Sequence, residues 1–341
     1  MTLRMVRFPT LGLFLVSLFS GVCGPGCADR STQVTIALPA TAVFFSAVYV
    51  AQDKGFWKDA GVNVKLDLNW PGAQATNAVL AGKVDFACST AAVFLKANAR
   101  GQKLVAIANM LDRLPIEIVV SPAFAERAHL NAGATAEERG RALRGARIAV
   151  PEPNGLPYNY VRYAASRAGL DADRDLVASP IALPAMLAAL RSGQVDGIAA
   201  GPPWTTMARK EGLAVTVVSG PAGDFAELSP LNALLIIARP GFCESHAATC
   251  RGVVAGGKRA LVFMHEQQEE TLALLRKRFE NIDPAFVQEA FRSLLVSTPL
   301  TPIVGETGFV HAQDFLVGSK TLQDEEKLSS FASVYTNDYA R

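Results

Sequence analysis

Hydrophobic and polar residues alternate along the chain in blocks that predict short strands separated by helices. Apolar runs at 34–38 and 62–68 have the length of strands, and the segment between them, 45–58, has the periodicity of a helix. The same succession resumes at residue 116 and continues to residue 218. Strands that alternate with helices are typical of a mostly parallel sheet with helices on both faces. Beyond residue 240 the pattern becomes helical.

A pattern that occurs once in each half of the chain indicates two similar lobes. The first copy, NAVLAGKVDFACST, covers residues 77–90, and the second, MLAALRSGQVDGIAAGPPW, covers residues 186–204. Each copy is a short helix closed by a glycine, Gly82 or Gly193, followed by a Val-Asp pair and small residues. Two βαβαβ lobes in one chain predict a cleft between them, where a small ligand would bind.

Two extended apolar runs, at 116–120 and 232–238, lie at the boundaries between the lobes. We interpret them as the two crossover strands that join the lobes. Lobe 1 is then formed by residues 33–118 plus 236–341, and lobe 2 by residues 119–235. The predicted fold class is α/β with two doubly wound lobes, and the C-terminal helices are expected to pack on lobe 1.

The first residues have the composition of an export signal. Arg4 and Arg7 precede a short apolar stretch at 11–19, and small residues with two cysteines follow at 21–28. The apolar stretch is too short to span a bilayer. Residues 1–27 are therefore predicted to be a signal peptide, and the protein is predicted to be periplasmic.

Cys27 is a candidate for lipidation. It follows Gly26 in a context similar to the box that precedes the lipidated cysteine of bacterial lipoproteins, although Gly24 stands where leucine is usual. Two outcomes stay open at this point. One is lipidation on Cys27 with anchoring to the membrane, and the other is plain cleavage to a soluble periplasmic form.

Charge and cysteine content limit the classes of partner. Cleavage before Cys27 removes two of the 33 basic residues and none of the 31 acidic residues, which leaves 31 of each. A balanced charge argues against nucleic acid or an anionic membrane surface as the main partner. Cys243 and Cys250 are predicted to close a small loop as a disulfide, with two unpaired thiols as the alternative. Their spacing does not fit a zinc site, and no metal is predicted.

The chain resembles the solute-binding proteins of bacterial ABC importers for nitrate, aliphatic sulfonates, taurine and thiamine-pyrimidine precursors. The resemblance covers nearly all of the chain after the signal, through the segments VYVAQDKGFWKDAGVNVKL, NAVLAGKVDFACST, LRGARIAVPEPNG, MLAALRSGQVDGIAAGPPW and the closing stretch to NDYAR. It implies a type II periplasmic-binding-protein fold and a monomer that closes over a small-molecule ligand. It also implies delivery of that ligand to an ABC permease with its cytoplasmic ATPase, and no cofactor.

The candidate ligand site is formed by the loops that follow the predicted strands. Ligands of open α/β sheets bind outside the carboxyl ends of the strands, where helix N-termini offer free N–H groups and partial positive charge. Six such loops supply the candidate ligand-binding residues, which are Thr41, Phe44, Trp70, Gly72, Ser89, Thr90, Glu152, Asn154, Tyr158, Pro203 and Trp204.

Several of these candidates have a structural alternative. Ser89 and Thr90 are also ordinary N-cap residues. Trp70 and Trp204 lie in Pro/Gly turns, one in each lobe, and either stack on the ligand or pack in the core. The six loops contain no lysine or arginine, whereas Glu152 would repel an anion and suit an amine or a ring nitrogen. The composition favours an organic, nitrogen-bearing solute over nitrate.

Asp85 and Asp196 recur in the two copies, and we interpret them as caps of the preceding turns rather than as a catalytic pair. The main hypothesis is capture of a small organic solute, sulfonate-like, nitrogen-bearing or aromatic, without catalysis. One alternative is a nitrate receptor. The other is a thiamine-pyrimidine biosynthetic enzyme on the same fold, whose cytosolic relatives resemble this chain but carry a CCCFC motif that is missing here. No catalytic residue is predicted.

Overall fold

The computed structural model describes residues 32–39, 41–68, 70, 74–153 and 155–340. The predicted signal peptide, the candidate lipidation site Cys27 and two predicted ligand-binding residues, Gly72 and Asn154, lie outside these described residues.

Within this part of the chain, ten strands and fifteen α-helices are formed. The strands are β1 (Thr32–Ala37), β2 (Val62–Asp67), β3 (Phe86–Thr90), β4 (Val105–Leu111), β5 (Glu117–Val120), β6 (Arg147–Val150), β7 (Val177–Pro180), β8 (Gly197–Ala200), β9 (Val215–Ser219) and β10 (Leu234–Ala238). The helices are α1 (Ser46–Asp53), α2 (Phe56–Asp59), α3 (Gln74–Leu80), α4 (Ala91–Ala99), α5 (Pro122–Arg127), α6 (Ala136–Arg141), α7 (Leu156–Arg167), α8 (Ala172–Asp175), α9 (Leu183–Arg191), α10 (Trp204–Lys210), α11 (Phe242–Ser245), α12 (Ala247–Glu266), α13 (Gln268–Arg278), α14 (Pro284–Leu295) and α15 (Glu306–Gly318).

The strands form two five-stranded sheets in which equivalent strands have the same order. The first sheet is β2-β1-β3-β10-β4 and the second is β7-β6-β8-β5-β9. The fourth strand of each order, β10 or β5, is antiparallel to both of its neighbours. We use lobe 1 for the first sheet with the helices that pack on it, and lobe 2 for the second. The bilobal α/β fold predicted from the repeat is confirmed.

The chain passes from lobe 1 to lobe 2 between β4 and β5, and returns between β9 and β10. The apolar runs interpreted as crossovers are largely interior strands, and the crossings lie mostly before them. All residues of β5 and β10 are buried, because each strand lies between two others. The two crossings are hydrogen-bonded to each other. The Leu231 N–H donates to the Asp112 carbonyl (2.7 Å), and the Ala233 N–H donates to the Leu111 carbonyl (2.9 Å).

The repeated Val-Asp pairs connect neighbouring strands at the far ends of both sheets. Asp85 accepts a hydrogen bond from the Thr35 N–H of β1 (2.8 Å), and Asp196 accepts one from the Arg147 N–H of β6 (2.9 Å). Asp196 also accepts from the Arg147 guanidinium, at 2.9 and 3.0 Å. The two aspartates therefore extend the ladder to the adjacent parallel strand instead of capping the turns before them.

Helix α12 lies very close to lobe 1 because glycines stand at its points of contact. A Cβ on Gly256 would lie 2.2 Å from Cδ1 of Trp57, and a Cβ on Gly252 would lie 2.3 Å from Cγ2 of Val62. The Trp57 indole N–H donates to the Val253 carbonyl at 3.0 Å. The side chain of Trp57 is thereby buried between α2 and α12.

Three predicted helical segments differ in the structure. The helix expected at 45–58 is interrupted at Gly55, whose φ of 69° breaks the helical path between α1 and α2. The region expected to be helical beyond residue 240 is divided at Gln267, where the chain changes direction between α12 and α13. After α15 most of the chain is extended or in turns rather than helical, and Tyr335 pairs in parallel with Ala106 of β4.

Helix α15 packs on both lobes rather than on lobe 1 alone. Phe309 stacks on Phe94 of α4, with ring centroids 5.5 Å apart, and Phe315 contacts Tyr163 of α7 at 5.3 Å. Cys243 and Cys250 form a disulfide between α11 and α12. No helix among the described residues is both long and apolar enough to cross a membrane.

Adjacent glycines of α12 give a matched test of close packing. We expect Gly256→Ala to lower the free energy of unfolding by about 1–3 kcal/mol, because the methyl group would overlap Trp57. Gly257→Ala should instead raise it by up to about 1 kcal/mol, since its methyl would lie 3.5 Å from Cε of Met110 and alanine favours a helix. Urea unfolding of both variants checks this, and equal stabilities would contradict it.

The Asp196 carboxylate should make stability depend on pH. Its hydrogen bond from the Arg147 side chain lowers the pKa of Asp196 below the ordinary value. The ionised form therefore stabilises the fold above about pH 4, and this contribution is lost as the pH falls through the lowered pKa. We expect Asp196→Asn to cost about 1–2 kcal/mol at pH 7 and much less near pH 3, measured by urea unfolding.

Asp85→Asn is the matched control for this prediction, because it removes the equivalent carboxylate of lobe 1. We expect a smaller loss at pH 7 than for Asp196→Asn, since Asp196 also holds the Arg147 side chain. A loss for Asp196→Asn that is the same at both pH values would show that charge is not the source of its effect.

Candidate ligand-binding site

A cavity of about 820 Å³ is lined by residues of both lobes. Its volume lies within the range of about 300–1,000 Å³ that is usual for small-molecule sites. It is located at the carboxyl ends of the parallel strands, as predicted from the position of the loops. The structure brings six predicted ligand-binding residues together around it: Thr41, Phe44, Thr90, Glu152, Pro203 and Trp204.

Besides α14, whose N-cap Asp283 lines the cavity, five helices that follow parallel strands begin at or beside its wall. Their starting segments contribute Phe45 before α1, Thr90 before α4, Leu156 of α7, Leu183 of α9 and Trp204 of α10. Two of these helices belong to lobe 1 and three to lobe 2. The first N–H groups of a helix have no partner within it and carry partial positive charge, so the cavity is surrounded by potential hydrogen-bond donors.

Few polar side chains line the cavity. The Thr90 hydroxyl accepts from the Val93 N–H at 3.4 Å and so caps α4, and Asp283 caps α14 by accepting from the Ala285 N–H at 2.7 Å. The exposed side chain of Glu152 folds over Gly155, where an added Cβ would lie 2.6 Å from its Cγ. Among the described lining residues, none is lysine, arginine or histidine.

Helix α14 supplies a wall that the sequence reasoning missed. Its lining residues Phe286, Val287, Ala290 and Leu294 lie on one face of the helix, and the preceding loop adds Ile282. An apolar stripe on a C-terminal helix is equally typical of a core contact, and the sequence reasoning assigned this region only to packing on lobe 1. The stripe itself was the available signal, but it does not distinguish a core from a cavity.

Trp204 is held at the cavity by contacts on two sides. Its ring meets Phe286 of α14 edge-on, with centroids 5.1 Å apart. Behind it, the buried carboxylate of Glu117 on β5 accepts hydrogen bonds from the next residue, Thr205, and from Arg209 (2.9 Å), which fixes α10 against the sheet. The ring is half-buried, so one part of it faces the cavity.

Three predicted ligand-binding residues do not line this cavity. Trp70 is half-buried against the core of lobe 1. Ser89 is buried, and its hydroxyl donates a hydrogen bond to the Thr90 carbonyl at 3.3 Å. The Tyr158 hydroxyl donates to Asp173 at 2.7 Å, and Arg162 lies over its ring. The first turn of α7 directs Leu156 toward the cavity and Tyr158 away from it. The spacing of residues in the sequence does not define how the helix is rotated about its axis.

In the part of the chain that the structure describes, no group of three or more histidine, cysteine, aspartate or glutamate residues is placed to hold a metal ion. Three of the histidines bond to backbone carbonyls: His246 to Phe242 at 3.0 Å, His265 to Thr298 at 2.8 Å and His311 to Pro230 at 2.8 Å. None of the three lines the cavity.

The sequence pattern of the NMT1-like family matches residues 28–273. The chain belongs to the NMT1-like family. This NMT1-like protein is 28% identical over 181 residues to the nitrate import ATP-binding protein NrtC of Synechococcus elongatus, which covers 50% of this chain and 26% of that protein. It is also 28% identical over 102 residues to the putative binding protein YtlA of Bacillus subtilis, which covers 29% of this chain and 30% of that protein. The chain thus spans about a quarter to a third of these relatives' length.

Solved structures share the fold of this NMT1-like protein. A protein of Bordetella bronchiseptica has a TM-score of 0.71 at 23% identity, covering 92% of this chain and 96% of its own. The periplasmic aliphatic sulphonate binding protein SsuA of Escherichia coli has a TM-score of 0.69 at 18% identity, covering 91% and 99%. The periplasmic nitrate-binding protein NrtA of Synechocystis has a TM-score of 0.60 at 12% identity, covering 91% and 87%. At these identities the likeness establishes the fold.

Trp204 and Trp70 were both predicted to bind the ligand, but only Trp204 lines the cavity, and so their variants form a matched pair. We expect Trp204→Ala to weaken binding of any solute that occupies the cavity by about tenfold or more, because a large buried aromatic surface is lost. Trp70→Ala should leave the dissociation constant within about twofold, since Trp70 lies outside the lining. Isothermal titration of both variants, with thermal unfolding as the folding control, checks this. Equal losses in the two variants would contradict the position assigned to the ligand.

Proposed function

We propose that this NMT1-like protein is the substrate-binding component of an ABC importer and captures a small organic solute between its lobes. The observation that carries the proposal is the 820 Å³ cavity, which is lined from both lobes at the carboxyl ends of their strands. The NMT1-like family and the fold shared with SsuA and NrtA support it. The proposed role is binding without catalysis.

The two crossings would serve as the hinge for capture. They are the backbone connections between β4 and β5 and between β9 and β10, and they are hydrogen-bonded side by side. Rotation about such a pair brings two lobes together with small changes in backbone torsions. As units of this motion we propose residues 33–118 plus 236–341 for lobe 1 and residues 119–235 for lobe 2, with the ends moved back into the crossings so that β5 moves with lobe 2 and β10 with lobe 1.

The walls of the cavity favour a solute with an apolar body and one polar group. Aromatic and aliphatic side chains such as Phe44, Trp204, Phe286 and Leu294 cover much of its surface. A small inorganic anion such as nitrate would leave these walls unfilled and would lack a cationic partner among the described lining residues. Helix N-termini suit a polar group that accepts hydrogen bonds, and Glu152 suits one that donates them.

The proposed partners are a membrane permease and its cytoplasmic ATPase, and the proposed compartment is the periplasm. Lipidation on Cys27 would hold the receptor near the permease, whereas cleavage would release it as a soluble form. The nitrate-import relative NrtC and the periplasmic binding proteins of the same fold support import as the role.

A thermal-unfolding screen of the mature protein tests the proposal. The library contains alkanesulfonates, amino-sulfonates, pyrimidines, aromatic acids, alkylamines and nitrate. We expect at least one organic class to raise the unfolding temperature in a concentration-dependent way, because a ligand that binds only the folded state stabilises it. Small-angle scattering should then show a decrease in the radius of gyration. Stabilisation by nitrate alone, or by no compound, would refute the organic-solute proposal.

The Glu152→Gln variant tests whether the bound solute carries a positive or a negative charge. We expect affinity for an amine-bearing solute to fall by about fivefold, since an ion pair at 4 Å in water is worth about 1 kcal/mol. Affinity for an anionic solute should rise instead. Glu280→Gln is the matched control, because Glu280 is exposed and lies outside the lining. Isothermal titration measures both, and no change with Glu152→Gln would remove this carboxylate from the site.

A further inference from the structure

The lining face of α14 begins beside exposed residues and continues into the interior of the protein. Asp283, just before the helix, is exposed and Phe286 is half-buried, whereas Ala290 is 2% exposed and Leu294 is 5% exposed. From residue 283 to residue 294 a helix advances about 16 Å. The lining residues of α14 therefore extend over about 16 Å, and after Phe286 they are buried apolar side chains, with Val287 1% exposed.

The C-terminal end of this face lies next to the first crossing between the lobes, and we interpret it as the closed end of the cavity. Ser297, shortly after α14, accepts a hydrogen bond from the Asp112 N–H through its carbonyl at 2.9 Å. Pro115 and Ile116, which follow along the same crossing, line the cavity. The C-terminal end of α14 and the crossing are thus joined by a backbone hydrogen bond.

Ala290 is the small residue of this lining face, between the larger side chains of Phe286, Val287 and Leu294. Since Ala290 lines the cavity, its short side chain leaves more of the cavity volume beside the helix than a larger residue would. Because the neighbouring side chains are apolar, that space suits hydrocarbon and would not suit a charged or hydrogen-bonding group.

We propose that the buried half of the α14 face is a tail subsite, in which Ala290 and Leu294 limit the length of the apolar part of the solute. The solute class is then an amphipathic organic molecule with one polar head and an unbranched or flat apolar tail. The head lies among Thr41, Thr90 and Glu152, and the tail lies along α14 toward the crossing. This inference rests on the proposed function and specifies the solute of the same site.

A chain-length series in four proteins tests the tail subsite. The probes are unbranched alkanesulfonates, alkanoates and alkylamines of two to ten carbons, and the proteins are wild type, Ala290→Phe, Leu294→Ala and Ala285→Phe. Ala285 is an exposed alanine of the same helix outside the lining, and so its variant is the matched control. Isothermal titration gives the dissociation constants, and thermal unfolding confirms that each variant is folded.

We expect affinity in the wild type to increase about fourfold with each added methylene, as for burial of one methylene group, until the tail reaches the closed end. The limiting length should be the same with Ala285→Phe, shorter with Ala290→Phe and longer with Leu294→Ala. Should Ala290→Phe fail to fold, the increase in limiting length with Leu294→Ala still decides the question.

An identical limiting length in wild type and Leu294→Ala would overturn the tail subsite. Affinity that does not depend on chain length, or binding only of tail-less compounds from the screen, would also overturn it while leaving solute capture intact. If neither these series nor the compounds of the screen bind the wild type, both the tail subsite and the proposed function are wrong.

Discussion

Each of the two sheets contains an interior strand that reaches it directly from the other lobe, and the rest of the structure depends on this exchange. Strand β5 enters lobe 2 directly after the chain leaves lobe 1, and β10 enters lobe 1 directly after the return. Both are hydrogen-bonded on two sides and fully buried. The place of each crossing in the sequence fixes the register of the central strand that follows it. A change in that place would move the strand out of register, because register in a buried sheet is set by which residues face the core.

This exchange also places the cavity. Since the two crossings lie side by side, the carboxyl ends of both sets of parallel strands meet near the same line, and the helices that follow those strands begin there. The opposite ends of the sheets are held by Asp85 and Asp196, each of which binds the backbone of the neighbouring strand. One end of each sheet is therefore closed by internal bonds, and the other remains available to a ligand.

The architecture could be predicted from the sequence because its signals are local and repeated. The glycine-closed helix and the Val-Asp pair occur in both lobes, and the strand ends that they define include Thr90, Pro203 and Trp204, which line the cavity. Side-chain direction could not be predicted in the same way. Tyr158 differs from Leu156 by about 200° of rotation around α7, and this places the two on opposite sides. Likewise, an apolar face such as that of α14 has the same pattern whether it meets a core or an empty space.

The position of Glu152 depends on the absence of a side chain at Gly155. The carboxylate rests beside the start of α7 because position 155 presents only a hydrogen there, and any Cβ at that position would overlap it. A side chain at position 155 would displace the Glu152 carboxylate and so alter the electrostatic potential at the cavity. The charge beside the cavity therefore depends on one backbone position that is not itself among the described lining residues.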